Sequence, residues 1–200
     1  MKKALIILLL LFICLTLSVK FLPLVTTLDW SVIMIVQHFL QNIPTWIPEL
    51  PDCVMYSLMI TLAIISGTIY FLRKQLFKQM VFLWSVPLVT FLLNCIIKPL
   101  VHRARPPFEL QLSVHPHSLS YVSSHSLVTM CLWGMVIYFV YKNCANKYIK
   151  NSIIALSSFW ILFVGFSRIW LGVHHPTDVL GAYILGLILV ILYIRGFEKL

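Results

Sequence analysis

Three short stretches of this 200-residue chain hold groups that could bind and attack an anion. Lys98 is followed seven residues later by Arg105-Pro106, Ser123-Ser124-His125 stands at the head of an apolar run, and Ser167-Arg168 precedes His174 and Asp178. A phosphate spreads negative charge over its oxygens, and that charge must be held while phosphorus passes through an in-line, five-coordinate geometry. Lys98, Arg105 and Arg168 can hold it without a metal, the arginines through planar forks that match phosphate oxygens. Ser123 and the backbone amides around Ser123–His125 add free N–H groups if a helix begins there, and the Ser124 hydroxyl is a further donor. His174, as a neutral imidazole, is a nucleophile toward phosphorus, forming a phosphohistidine that water later hydrolyses. Asp178, four residues on, can orient that ring where the chain is helical. His125 can then give a proton to the leaving oxygen and later take one from water. Met singly, Lys98 reads as a snorkelling end residue and His125 as a polar helix start. The sharper reading depends on all three stretches reaching one face.

Bringing them there falls to the surrounding elements, and composition says what these are. The chain is 60% hydrophobic and 10% charged, with a mean hydropathy of +0.96. A water-exposed surface needs about 25% charge, so a soluble globular domain is excluded and an all-α, polytopic membrane protein is expected. Apolar runs at about Ala4–Leu24, Met55–Leu72, Met80–Ile97, His125–Tyr141, Ile153–Gly172 and Thr177–Ile194 are near the length that crosses a bilayer, and none alternates at period two. They predict a six-transmembrane-helix bundle forming one domain over residues 1–200. The basic start before the first run would also suit a secretory signal, but a cleavage site is poor, so an uncleaved span is expected. Between the first two spans, Leu28–Ile47 predicts a short interfacial helix, because Asp29, Gln37, His38 and Gln41 interrupt it and Pro44, Pro48 and Pro51 stop it.

Fifteen Lys and Arg against six Asp and Glu give a formal charge of +9. In a chain of spans this points to the cytoplasmic side and to anionic lipid, and away from nucleic acid. Ten basic residues, at 2–3, 73–78, 142–150 and 195–199, fall on one side of the six-span layout. Both termini are therefore expected to be cytoplasmic, in a plasma or inner membrane. Lys20, Lys98, Arg103, Arg105 and Arg168 are left on the outer side, three of them beside histidines where spans end. The five scattered cysteines make neither a disulfide framework nor a zinc site.

With order and spacing included, the three stretches resemble the signature of the type-2 phosphatidic acid phosphatases, the lipid phosphate phosphatases, which share a core with vanadium haloperoxidases. That signature reads K-x6-R-P, P-S-G-H and S-R-x5-H-x3-D. Lys98/Arg105/Pro106 match the first and Ser167/Arg168/His174/Asp178 the third, while the middle one keeps Ser123 and His125 but has Val122 for proline and Ser124 for glycine. The motif core covers residues 98–178. The resemblance implies a metal-independent hydrolase of a membrane lipid's phosphate or diphosphate, without cofactor, using His174, His125 and Asp178 for catalysis. It implies that Lys98, Arg105, Ser123, Ser124 and Arg168 hold the phosphate. An outer-face site favours undecaprenyl diphosphate, with phosphatidylglycerol phosphate, phosphatidic acid and lipid A phosphates open. A non-catalytic binder or transporter and a lipid-to-lipid phosphotransferase are the alternatives, and oligomeric state is open. His175 reads as pointing away from the nucleophile beside it, His115-Pro-His117 as a surface or substrate-gating part rather than a metal site, the tryptophans as interface anchors or packing, and Gly165, Gly181 and Gly186 as points of close helix approach.

Overall fold

The computed structural model describes residues 2–51, 53–112 and 117–198; Asp52, His115 and Lys199 lie outside them. Its regular elements are helices: α1 Lys2–Phe21, α2 Pro23–Phe39, α3 Trp46–Glu49, α4 Cys53–Arg73, α5 Phe77–Val101, a 3-10 turn Phe108–Leu110, α6 Ser124–Asn143, α7 Lys147–Trp170 and α8 Pro176–Glu198. Among the described residues, α1, α5, α6, α7 and α8 are long and apolar enough to cross a bilayer, and α4 carries a shorter apolar stretch, Ser57–Arg73.

The helix boundaries follow local chemistry. The first helix stops three residues earlier than expected because Pro23 forces Leu22 into extended backbone (φ −110°, ψ 100°) and itself takes the first position of α2. The expected interfacial segment is therefore α2, beginning at Pro23 and ending at Phe39, followed by the single turn of α3. Its polar residues do not all face outward, since Asp29 is buried with Ile33. At the far end of the bundle Asn146 caps α7, its side-chain oxygen accepting from Tyr148 N and Ile149 N, so that helix starts six residues before its apolar run.

The core lies between α6 and α8. Leu127, Cys131, Leu132 and Met135 of α6 pack with Ala182, Leu185, Leu189 and Val190 of α8, and Tyr121 and Val122 cover one end. Helix α7 packs along α6, α1 along α8, and α4 and α5 flank α6. Lipid tails are as apolar as leucine, so this association depends on close packing. Gly186 and Gly181 allow it: a Cβ would lie 2.6 Å from Met130 Cγ at the first and 2.6 Å from the Tyr121 hydroxyl at the second. The outer surface stays apolar, with Leu10, Leu88, Phe91 and Leu162 all more than half exposed, as a hydrocarbon environment requires.

Two backbone turns fix one end of the bundle. Helix α5 closes on His102 in left-handed conformation (φ 55°, ψ 42°), whose N–H returns to Lys98 O at 2.8 Å. Helix α7 closes in a Schellman turn: Gly172 N donates to Ile169 O at 3.0 Å and Val173 N to Arg168 O at 3.2 Å, with Gly172 at φ +67°. A Cβ on Gly172 would also collide with Leu110 O. Gly172→Ala is expected to cost at least about 1–2 kcal/mol for the left-handed backbone alone. The measurement is a lowered thermal midpoint of the detergent-solubilised protein relative to wild type run in parallel.

Candidate active site

The Schellman turn folds the chain back over the end of α7, so His174 N donates to Arg168 O at 3.3 Å. The next residues start α8, where Pro176 needs no N–H partner and Asp178 is the third helical residue. From there its Oδ2 reaches back to His175 N at 2.9 Å, the return half of a capping box. The same oxygen faces His174 Nδ1 at 3.3 Å and His175 Nδ1 at 3.3 Å, and accepts from Ser120 Oγ. The i, i+4 geometry expected for His174 and Asp178 is thus present. It comes from a helix N-terminus as much as from helical spacing.

The cations arrive from the other turn. Lys98, in the last turn of α5, donates through Nζ to Leu119 O at 2.6 Å. Past His102 the chain leaves the helix, and Arg105 holds Ser118 O through Nε (2.8 Å) and Ser118 Oγ through Nη2 (2.9 Å). Its Nη1 donates to Val173 O at 2.6 Å and lies 3.2 Å from His174 Nε2. Lys98 and Arg105 therefore grip residues 118–119, and the adjoining Ser120 touches both His174 and Asp178. Arg168 is buried beneath, its guanidinium against Ser167 Oγ at 3.1 Å and Pro48 O at 3.4 Å.

The serine motif forms the start of α6 as expected. Ser123 is its N-cap, accepting from Ser126 N at 3.4 Å and Ser126 Oγ at 3.0 Å. Its own amide donates to Asp178 O at 3.2 Å, tying the starts of α6 and α8 together. Ser124 and His125 are the first two residues of this helix, where backbone N–H groups are free of intrahelical partners, and both are half-buried. Burial dominates the electrostatics of His174 and Arg105. Desolvation pushes the His174 imidazole down to about 3, outweighing the upward pull of its hydrogen bond to Asp178, with Arg105 and Lys98 adding to the downward side. Burial also lowers Arg105 from its usual value, which leaves a guanidinium charged at neutral pH.

Four participants escape a reading of the signature. Ser120 lies outside the motif stretches and carries no distinguishing spacing. His175 is buried, and its ring bridges Asp178 and Trp30, whose Nε1 donates to His175 Nε2 at 3.2 Å. Arg103 joins Asp29 Oδ2 and Asp178 Oδ1, each at 2.6 Å. For these two a signal existed: Arg103 is a further basic residue against the charge rule, and Asp29 is one of only six acids in the chain.

Residues 78–200 match the PAP2 superfamily. Over 178 residues, 84% of this chain and 80% of the relative, it is 32% identical to phosphatidylglycerophosphatase B of Bacillus subtilis (strain 168). A stretch of 39 residues, 20% of each protein, is 50% identical to undecaprenyl-diphosphatase BcrC of the same organism. The fold matches the crystal structure of a transmembrane PAP2-type phosphatidylglycerolphosphate phosphatase from Bacillus subtilis with a TM-score of 0.79 and 29% identity, covering 100% of this chain and 98% of the other. The motif residues gathered at one end of a helical membrane bundle, the match over 78–200 and the relative spanning most of the sequence agree: the chain belongs to the PAP2 superfamily.

Proposed function

We propose that this chain is an integral-membrane hydrolase of lipid phosphates that works through a phosphohistidine on His174. The observation that carries the reading is the pair of contacts on that ring: Nδ1 faces Asp178 Oδ2 at 3.3 Å and Nε2 faces Arg105 Nη1 at 3.2 Å. A carboxylate only accepts, so the proton belongs on Nδ1 and the Nε2 lone pair points at the cations. A bound phosphate takes over the Arg105 donor, and Nε2 attacks phosphorus as the bond to the lipid oxygen breaks. His125 gives that oxygen its proton, and Asp178 balances the charge that appears on the ring. Water then attacks phosphorus, His125 takes its proton, and inorganic phosphate leaves a neutral His174. Lys98, Arg105 and Arg168, with Ser123 and Ser124 at the start of α6, hold the phosphate oxygens throughout. Three fixed cations supply the charge that a metal would otherwise supply, which supports metal-independent chemistry.

Six spans, with α4 as the sixth, put residues 102–112, 117–123 and 171–175 on the outer face and α2 across that face. The basic residues at 2–3, 73–78, 142–150 and 195 then lie on the cytoplasmic side, as do both termini. The chain so arranged is one membrane domain over 1–200. Phosphatidylglycerol phosphate is the favoured substrate, because the relative matched over most of both chains is named for it. The 39-residue stretch at 50% identity to an undecaprenyl-diphosphatase favours undecaprenyl diphosphate as the second reading.

A phosphate-release assay on purified protein over phosphatidylglycerol phosphate, phosphatidic acid and undecaprenyl diphosphate is expected to show the first turned over fastest. Chelator leaves the rate unchanged, and vanadate, which mimics the five-coordinate state, inhibits it. His174→Ala is expected to lower release about a thousandfold or more while lipid binding persists; full turnover by this variant overturns the nucleophile. The buried ring has a consequence for stability as well. Below about pH 6.5 the unfolded chain takes a proton that the folded His174 accepts only near pH 3, so the stability of the neutral ring is complete above 6.5 and declines as pH falls through that window. Thermal midpoints measured from pH 7.5 to 4.5 should fall more steeply for wild type than for His174→Asn.

A further inference from the structure

Asp178 is fully buried, and its two oxygens are used differently. Oδ2 takes the histidines, His175 N and Ser120, whereas Oδ1 is met by Arg103 Nη1 at 2.6 Å. That arginine is itself buried and held from the far side, its Nη2 on Asp29 Oδ2 at 2.6 Å. Asp29 also binds the start of α8: Thr177 N donates to Oδ1 at 3.1 Å and Thr177 Oγ1 to Oδ2 at 2.6 Å, while Arg103 Nη1 donates to Thr177 Oγ1 at 2.8 Å. A carboxylate from α2 thus satisfies a free N–H in the first turn of α8, the helix that carries Asp178.

We propose that Arg103 and Asp29 are positioning residues for the nucleophile: together they lock the Asp178 carboxylate so that Oδ2 faces His174 Nδ1. The inference rests on the reading of His174 as nucleophile and extends it to a helix outside the signature. The reason is geometric. A carboxylate turns about its last bond unless both oxygens are held, and four groups on Oδ2 compete for its lone pairs. With Oδ1 anchored on a guanidinium that is fixed at its other end, the plane of the carboxylate is set. The same anchor keeps the buried cluster near charge balance, since Arg103 stands between two carboxylates that would otherwise share one helix end. Neither Arg103 nor Asp29 contacts His174, so their effect passes through Asp178. Trp30, the next residue of α2, acts in parallel by holding the lone pair of His175 Nε2, which leaves Nδ1–H for Asp178.

The test uses the full-length protein in detergent with 32P-labelled phosphatidylglycerol phosphate, comparing wild type, Asp29→Asn, Arg103→Lys, Arg103→Gln and His174→Ala. Steady-state kcat and KM are read together with the rate of phosphoenzyme formation, quenched in alkaline SDS where a phosphohistidine survives, per folded protein as judged by size exclusion and thermal midpoint. Loss of an outer partner of this kind lowers activity about 10- to 100-fold. The expected result is a fall of that size in kcat and in phosphoenzyme formation for Asp29→Asn and Arg103→Gln, with KM unchanged and Arg103→Lys in between. If Arg103→Gln does not fold, Asp29→Asn, which keeps shape and charges fewer groups, carries the test alone. Wild-type formation rates in the folded variants overturn the inference, and so does a raised KM with unchanged kcat, which would make Arg103 a phosphate ligand. If wild type forms no phosphoenzyme and His174→Ala turns over, the nucleophile reading fails instead, whatever the variants at 29 and 103 do.

Discussion

One fully buried carboxylate organises this end of the molecule. Asp178 sits in the first turn of α8, where the helix dipole and free N–H groups favour negative charge, but an isolated carboxylate there would still be far too costly in a membrane bundle. It is tolerated because every direction around it is occupied: Arg103 on Oδ1, and Ser120, His175 N and two imidazoles on Oδ2. Its backbone carbonyl accepts from Ser123 N, so the start of α6 is tied to the same residue. Arg103 and Ser120, from the chain between α5 and α6, and His174 and His175, from the turn between α7 and α8, meet at this point because each brings a group that the carboxylate needs, and α2 backs them, its Asp29 accepting from Arg103 and its Trp30 donating to His175.

The bilayer explains why so little else is polar. Between lipid-facing helices the hydrophobic effect does not drive association, so specificity comes from close approach at glycines and from the few hydrogen bonds inside. The Thr16 hydroxyl against the Tyr121 hydroxyl at 2.9 Å joins α1 to the site loop. Gln37 of α2 donates to Leu110 O at 2.8 Å and to Trp170 O at 2.9 Å, clamping two loops with one amide. Charged groups at membrane depth persist in such a fold where they are paired or functional. Arg103 is paired with two carboxylates, whereas Lys98 and Arg105 donate to carbonyls of the neighbouring chain, which accept hydrogen bonds without cancelling their charge.

Much of this was legible in the residues. Apolar runs of span length located α4 to α8 to within about four residues except at the start of α7, because a helix crossing hydrocarbon must satisfy its backbone internally and show apolar side chains outward. The K-x6-R-P and S-R-x5-H-x3-D spacings located the cations, His174 and Asp178, since each spacing is local: a helix end, one turn, the next helix start. Helix α2 was legible only as an amphipathic segment. Asp29 and Gln37 looked like residues seeking water, and no local pattern distinguishes a carboxylate that faces solvent from one that faces a buried arginine 74 residues away.

By itself the sequence therefore determined the class of fold, the family signature and the groups capable of holding a phosphate and attacking it, all properties carried by composition and by spacings shorter than about two helical turns. Tertiary structure alone decided which oxygen of Asp178 faces which partner, that Arg103 and Asp29 complete its surroundings, and that Ser120 and His175 join them. His175 lies only three residues from Asp178, but the pairings of Arg103, Asp29 and Ser120 span tens of residues and depend on how α2, the chain between α5 and α6, and α8 pack, and a pairing over that distance is fixed by the summed geometry of the bundle.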